Sequence, residues 1–292
     1  MPTGANSNPV ARVRAYYERN TPIFLRFGRE RETQTIHRSV WAEGVATLPE
    51  ALTYVNGLVG AAVTAVAVAA AAAERPGRAL RLLDLGCGVG GSLLHLAGAT
   101  AAPFFGVGVT ISPTQCRLAR QNALSRGMDG RTAFVEADFL HLPLAGGFDL
   151  VYAIESLIHA PDYGLALREA ARALRPGGAL LICDDFLADE PSGSPEWLTA
   201  FRRGWHANSA LSLARAIALA EAAGLRLRLK RNLTSDLRLL KVPGFVARLA
   251  LRVGNALPSR WDFVQGQVGG LGLQYGLASG RIAYYWLEFV KI

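Results

Sequence analysis

The chain is predicted to be an α/β protein, a largely parallel sheet with helices packed against it, and two observations carry that prediction. In residues 82–91 (LLDLGCGVGG) an apolar run from Ala79 to Leu85 breaks into closely spaced glycines and then into the helix-like Ser92 to Ala97. This reads as strand, tight turn, helix. The same alternation then repeats: strands at 103–109, 132–136, 148–154 and 179–183 are interleaved with helical segments from Ser112 and over 163–174. Glycines at such a turn let the backbone approach a ligand closely, and the following helix offers free N–H groups to it.

Composition narrows the function. With 292 residues and 51% hydrophobic content the chain can bury a sizeable core, and one domain over 1–292 is expected. An excess of 31 Lys+Arg over 23 Asp+Glu gives +8, which favours anionic ligands or surfaces. The cations are scattered rather than interleaved with aromatics, so nucleic acid is not an expected partner. Cys87, Cys116 and Cys183 lack metal-ligand spacing, so neither a metal nor a disulfide framework is predicted. They suit a reducing compartment. Met1 to Val10 lacks the features of a signal sequence, and a cytoplasmic location is expected.

A helical cap is read over 1–78. Its first helix, Ala11 to Gly28, is aromatic and basic and holds Tyr16 and Tyr17. Arg26, Arg29, Arg31 and Arg38 could grip a diphosphate or carboxylate through their planar forks. A solvated face paired with Glu30 and Glu32 is the plainer reading, and it is preferred. Gly57 to Ala73 approaches the roughly 18 apolar residues of a membrane span. It is mostly alanine, however, and runs directly into the first strand, so a helix flanking the sheet is expected.

Gly86-x-Gly88-x-x-Gly91 satisfies a dinucleotide-binding pattern, but that pattern expects an acid about 20 residues on. Here the second strand ends in Thr110. Asp84, two residues before the first glycine, suits a ligand with a cationic amino group instead. The order Asp84-x-Gly86-x-Gly88-x-Gly90 resembles motif I of class I S-adenosylmethionine (SAM)-dependent methyltransferases. That resemblance implies a seven-stranded Rossmann-like sheet with an N-terminal helical cap and an acceptor-site insertion. SAM would lie over Gly86, Cys87, Gly88 and Gly90, with Asp84 nearby.

Downstream, Ser112 is a good N-cap and Pro113 suits a first helical position. Thr110-Ile111-Ser112 followed by Gln115 resembles the variant found in cyclopropane synthases and sterol methyltransferases, which implies ribose binding by neutral hydrogen bonds from Thr110 and Gln115, beside Ile111. The tyrosine pair followed by Thr33-Gln34-Thr35 resembles the N-terminal cap of the same families. It implies Tyr17 and His37 at the pocket, with Tyr16, Arg38 and Trp41 toward the acceptor. Asp138 and Phe139 fall at the adenine position.

The fourth strand delivers Ile154, Glu155 and, four residues on, His159-Ala-Pro161. This block resembles sterol side-chain methyltransferases, and Glu155-Ser156 alone resembles prenyl diphosphate C-methyltransferases. Methylating an alkene carbon creates a carbocation that must be stabilised and then deprotonated. Glu155 would be the base, with His159 orienting it or relaying the proton and Tyr17 beside them. Glu155 could equally anchor the cap to the sheet, with His159 as a core histidine.

The helix over 163–174 ends at Arg175-Pro176-Gly177-Gly178. Asp184, Asp185 and Asp189 then follow the fifth strand. Mg2+ is expected there only if the acceptor carries a diphosphate. The core is read as 79–187 and an acceptor-pocket insertion as 188–224, whose Trp197, Phe201, Trp205 and His206 suit a flat or isoprenoid acceptor or, equally, ordinary packing. The chain ends with 225–292, which contains a sixth strand, a segment at 237–251 and a final strand over 281–290. For the 237–251 segment a lid or a contact within a homo-oligomer is preferred over a membrane-surface patch. The expected activity is SAM-dependent methylation of a small hydrophobic acceptor, foremost C-methylation of an isoprenoid. O- or N-methylation of a small natural product, with His159 or His37 as base, is the alternative, and cyclopropane synthesis a third route.

Overall fold

The computed structural model describes residues 8–27, 34, 37–72, 78–240, 242–258 and 261–292. Seven strands form one sheet: β1 (Leu80–Leu85), β2 (Phe104–Thr110), β3 (Thr132–Glu136), β4 (Phe148–Ile154), β5 (Leu174–Leu187), β6 (Leu225–Asn232) and β7 (Ile282–Lys291). Their order is β3-β2-β1-β4-β5-β7-β6. The pairs among β1 to β5 are parallel, and β7 runs antiparallel to both β5 and β6.

Strand alternation sends Leu83 and Leu85 to one face and Leu80 and Leu82 to the other, and both faces are covered. One face carries α2 (Leu48–Ala72), α3 (Gly91–Ala99) and α4 (Pro113–Ser125); the other carries α5 (Tyr163–Ala173) and α7 (Leu213–Ala222). α2 starts nine residues before the predicted Gly57. Thr47 and Glu50 form a reciprocal capping box, with Thr47 N–H donating to Glu50 at 2.8 Å and Glu50 N–H donating to Thr47 Oγ1 at 3.4 Å. α2 is long and apolar enough to cross a membrane, but it buries Val55, Val59 and Val63 completely against the sheet. The four-residue spacing of these valines makes them one stripe of the helix.

At the C-terminal ends of the parallel strands lie α1 (Pro9–Phe27), α6 (Glu196–Gly204), α8 (Gly244–Ala256) and α9 (Asp262–Ala278). α6, α8 and α9 share a small core containing Trp197, Leu198, Phe201, Leu251, Leu273 and Leu277. Of the 237–251 segment, expected as a lid or an oligomer contact, residues 244–251 lie in helix α8, which packs on the same core as α6. α9 escapes prediction because it carries Gly266, Gly269, Gly270, Gly272 and Gly276, which oppose helix formation. Close approach explains two of them: a Cβ at Gly269 would lie 2.8 Å from the Cα of Gly204, and one at Gly272 would lie 2.5 Å from the Trp197 carbonyl oxygen. β5 is also longer than the predicted 179–183. It begins at Leu174 opposite Phe148, passes a register shift, and pairs with β7 as far as Leu187.

Candidate active site

Two cavities meet above the C-terminal ends of β1, β2 and β4. The smaller is floored by Gly86 and Gly88 and walled by Thr110, Ile111 and Gln115, by Asp138 and Phe139, and by Ile154 and Glu155. Val10, Val13 and Tyr17 of α1 line it as well. Gly86 and Gly88 hold φ values of +86° and +55°, the left-handed region that glycine adopts without penalty. A Cβ at Gly88 would meet nothing within 4 Å, so its backbone faces open space, whereas a Cβ at Gly86 would lie 2.4 Å from that of Ser156. This floor can cradle a ligand against bare backbone.

Helix α1 is fastened to the start of α4. Thr114 donates to Glu18 through its backbone N–H (3.1 Å) and its hydroxyl (2.7 Å), and the Ser112 hydroxyl donates to the same carboxylate. Burial by itself would raise the Glu18 carboxyl, but these bonds together outweigh it and hold the group below its ordinary range. Thr110 donates to Gln115 Oε1 at 2.8 Å, and Gln115 Nε2 donates to Thr21 at 3.1 Å. The β2 end thus lacks an acid of its own, and a carboxylate from α1 stands at the neighbouring helix N-terminus, where the helix dipole favours it.

The larger cavity is bounded by α1, the 37–39 segment, α6 and α9, with Tyr16, Arg38, Phe201, Trp205 and Phe263 among its walls. Tyr17, Glu155 and His159 line both cavities and mark their junction. Tyr17 Oη and His159 Nε2 are 2.9 Å apart, and His159 Nδ1 lies 3.2 Å from the His206 carbonyl. A carbonyl can only accept, so Nδ1 carries the proton and Nε2 accepts from the tyrosine hydroxyl. Burial lowers the His159 pKa to about 4, keeping the ring neutral, and burial raises that of Tyr17, keeping it protonated.

Glu155 adopts φ +50°, uncommon for a residue with a side chain. Its Oε1 accepts from Arg38 N–H at 2.9 Å and from the Tyr284 hydroxyl at 2.8 Å. Glu155 therefore ties the 37–41 segment to β7, which matches the anchoring alternative. The Arg38 guanidinium forks onto Asp185, with Nη1 donating at 2.7 Å, and lies over the Tyr284 ring. Asp184 accepts from the backbone N–H groups of Ile158 and Asp185. Both acids at the end of β5 are thus engaged by protein donors, and no grouping of potential metal ligands occurs among the described residues.

Several predicted residues lie elsewhere. Asp84, Cys87 and Gly90 do not line the smaller cavity: Cys87 packs beside Gly108, and Gly90 is pressed against Phe134. Asp84 is 3% exposed, its Oδ2 has no partner among the described residues, and burial pushes its carboxyl up to about 7. A carboxyl buried beside the glycine turn, with the Tyr152 hydroxyl as its side-chain neighbour, suits a cationic group. His37 lines the larger cavity rather than the smaller, next to Asn56. Trp197 is buried in the α6–α8–α9 core, and Trp41 is covered by the Arg238 guanidinium, so neither faces the chamber. His206 reaches the site through its carbonyl, while its ring packs edge-on against Tyr16. Arg29, Arg31, Thr33 and Thr35 lie outside the described residues, as does the side chain of Arg26. The reading from sequence missed Tyr284, which holds Glu155, and the α9 wall with Phe263, Gln267 and Gln274.

The sequence model of the methyltransferase domain family matches residues 83–182, a segment that holds the glycine turn and β2, β3 and β4, and the sheet closes with the antiparallel β7 beyond it. The chain therefore has the fold of a class I methyltransferase. The chain is 37% identical over 162 residues to 27-O-demethylrifamycin SV methyltransferase of Amycolatopsis mediterranei, covering 55% of this chain and 54% of that one. It is 35% identical over 115 residues to sterol 24-C-methyltransferase of Schizosaccharomyces pombe, covering 39% and 30%. The chain thus spans about half, or less, of the length of these curated relatives. In three dimensions it is similar to geranyl diphosphate C-methyltransferase of Streptomyces coelicolor A3(2), solved with Mg2+, geranyl-S-thiolodiphosphate and S-adenosyl-L-homocysteine. The TM-score is 0.70 at 16% identity, over 100% of both chains.

Proposed function

We propose that this chain is a SAM-dependent methyltransferase of a small, hydrophobic acceptor, and that it methylates a hydroxyl oxygen. SAM would occupy the smaller cavity, held by the Gly86–Gly88 backbone, Thr110 and Gln115, Asp138 and Phe139. Bound there, it supplies an electrophilic methyl on a sulfonium. The acceptor would fill the larger cavity, its hydroxyl at the junction.

The observation that carries this reading is the Tyr17–His159 pair at that junction. An acceptor hydroxyl donating to Tyr17 Oη would lose its proton as oxygen attacks the methyl carbon, while the Tyr17 proton passes to His159 Nε2. The carbon–oxygen bond forms as the carbon–sulfur bond breaks, and His159 ends protonated. A neutral histidine with a bare Nε2 is ready for this role, and the bond from Nδ1 to the His206 carbonyl keeps the ring oriented. The similarity to a rifamycin O-methyltransferase supports it.

C-methylation of an isoprenoid is the second reading, favoured by the rings of Tyr16, Tyr17, Phe201 and Trp205, whose faces would stabilise a carbocation. Glu155 would then be the base. A diphosphate acceptor has less support: the described cations lining the chamber are Arg38 and Arg238, and Asp185 already engages Arg38. The three buried free cysteines suit a cytoplasmic setting.

The test is transfer from methyl-labelled SAM to hydroxylated polyketides and phenols, to isoprenoids and sterols, and to isoprenoid diphosphates, each with and without Mg2+. Label in a methyl ether supports O-methylation. Label on carbon transfers the role to Glu155 and overturns it.

A further inference from the structure

Helix α8 buries Ala247, Leu251 and Gly254 and turns Phe245, Leu249 and Val253 outward. At spacings of four these three form one ridge, exposed by 70, 64 and 57%. Leu240, Val242, Val246, Trp261 and Phe263 extend the apolar surface, Phe263 being 73% exposed. So many exposed large apolar side chains on and beside one helix mark an interaction surface. Phe263, Leu239 and Arg238 also line the larger cavity, so the patch is continuous with the chamber mouth.

Charge identifies the occupant. Between Leu237 and Trp261 the sequence carries Arg238, Lys241, Arg248, Arg252 and Arg260 and no Asp or Glu. Arg252 donates to Glu196 at 2.7 Å, and Arg248 precedes it by one turn, beside the apolar ridge. A second copy meeting this face about a two-fold axis would bring cations against cations. An apolar ridge flanked by arginines instead matches the boundary between anionic headgroups and acyl chains.

We propose that the outer face of α8, with Leu240 and Phe263, docks on an anionic lipid bilayer, so that a hydrophobic acceptor passes from the bilayer into the larger cavity. The entry route rests on reading that cavity as the acceptor chamber; the docking does not. Because α8 shares its core with α6 and α9, membrane contact would bear directly on the wall of the chamber.

The experiment is flotation of the full chain with vesicles of phosphatidylcholine alone and of phosphatidylcholine with phosphatidylglycerol, without substrate, across a salt series. Partitioning onto the anionic vesicles that falls with salt is expected. Phe245→Glu, Leu249→Glu and Arg248→Glu should each lower it by about tenfold, with melting temperature and SAM affinity unchanged. All three side chains are outward, so folding is preserved, and the three variants check one another. Absence of partitioning onto anionic vesicles, or partitioning that none of the variants alters, overturns the proposal. So does a dimer by light scattering that Leu249→Glu converts to monomer. Activity on detergent-dispersed acceptors is read separately, so a failure of docking is distinguishable from a failure of the proposed reaction.

Discussion

Tyr17 on the N-terminal helix and His159 on the loop after β4, 142 positions apart in sequence, join through a 2.9 Å hydrogen bond where the two cavities meet. Their partners fix the direction of that bond. The tyrosine donates because the His206 carbonyl already holds the proton on the other ring nitrogen.

Removing either member should cut turnover without emptying the cofactor site. Tyr17→Phe and His159→Gln are each expected to lower kcat by about 10²-fold or more, with SAM affinity within a few-fold of wild type by calorimetry. Equal losses in both would reassign the pair to a structural role.

The pH dependence follows from the His159 value of about 4, below its ordinary 6.5. Activity should hold from pH 7 to 5 and fall below that as Nε2 gains a proton and can no longer accept. The unfolded chain binds this proton more readily between pH 6.5 and 4. The contribution of His159 to stability is therefore present above 6.5 and lost as pH falls through that window. Thermal melts of wild type and His159→Gln over this range measure the difference.

Asp84 has the opposite sign. Its carboxyl is raised from 3.8 to about 7, so it favours the fold at low pH and costs stability as pH rises through 7. If SAM seats its cationic amino group beside Asp84, ionisation of the carboxyl would be driven, and SAM binding near neutral pH should release its proton to the buffer. Calorimetry in buffers of different ionisation enthalpy counts that proton. Asp84→Asn should abolish the release, weaken SAM binding, and raise the melting temperature of the free protein at pH 8.

Glu155→Gln separates base from anchor. Oε1 accepts from both Arg38 N–H and Tyr284; an amide oxygen can keep both contacts but removes the negative charge that lies 4.0 Å from Arg38 Nε. We expect destabilisation of about 1–3 kcal/mol and a smaller loss of kcat than for His159→Gln. A large loss of kcat at unchanged stability would restore Glu155 as the base.

The glycine seam between α6 and α9 gives a packing test. A Cβ at Gly204 would lie 2.1 Å from the Gln265 carbonyl oxygen, a backbone atom that cannot swing away. Gly204→Ala should cost about 1–3 kcal/mol by overpacking and weaken acceptor binding more than SAM binding, as measured by melting temperature and KM.

Much of the smaller cavity was legible because its lining lies where strands end. Gly86, Thr110, Asp138 and Glu155 follow runs whose apolar patterns announce strands, and a parallel sheet gathers those ends together. The larger cavity was not. Its far wall is α9, whose glycines lower helix propensity and make sense only against Gly204 and Trp197 from another helix. Trp197 and Trp41 illustrate a second limit: an aromatic residue near a pocket has the same sequence signature whether it faces the ligand or the core. Arg38 illustrates a third, since its availability to an anion depends on Asp185, 147 residues away.

One helix, α1, lines both chambers: Val10 and Val13 border one, Tyr16 and Asn20 the other, and Tyr17 both. Glu18 clasps that helix to α4. If the smaller cavity takes SAM and the larger one the acceptor, as proposed, any displacement of α1 would break the Tyr17–His159 bond and open both cavities at once, so that exchange of one ligand would disturb the seat of the other.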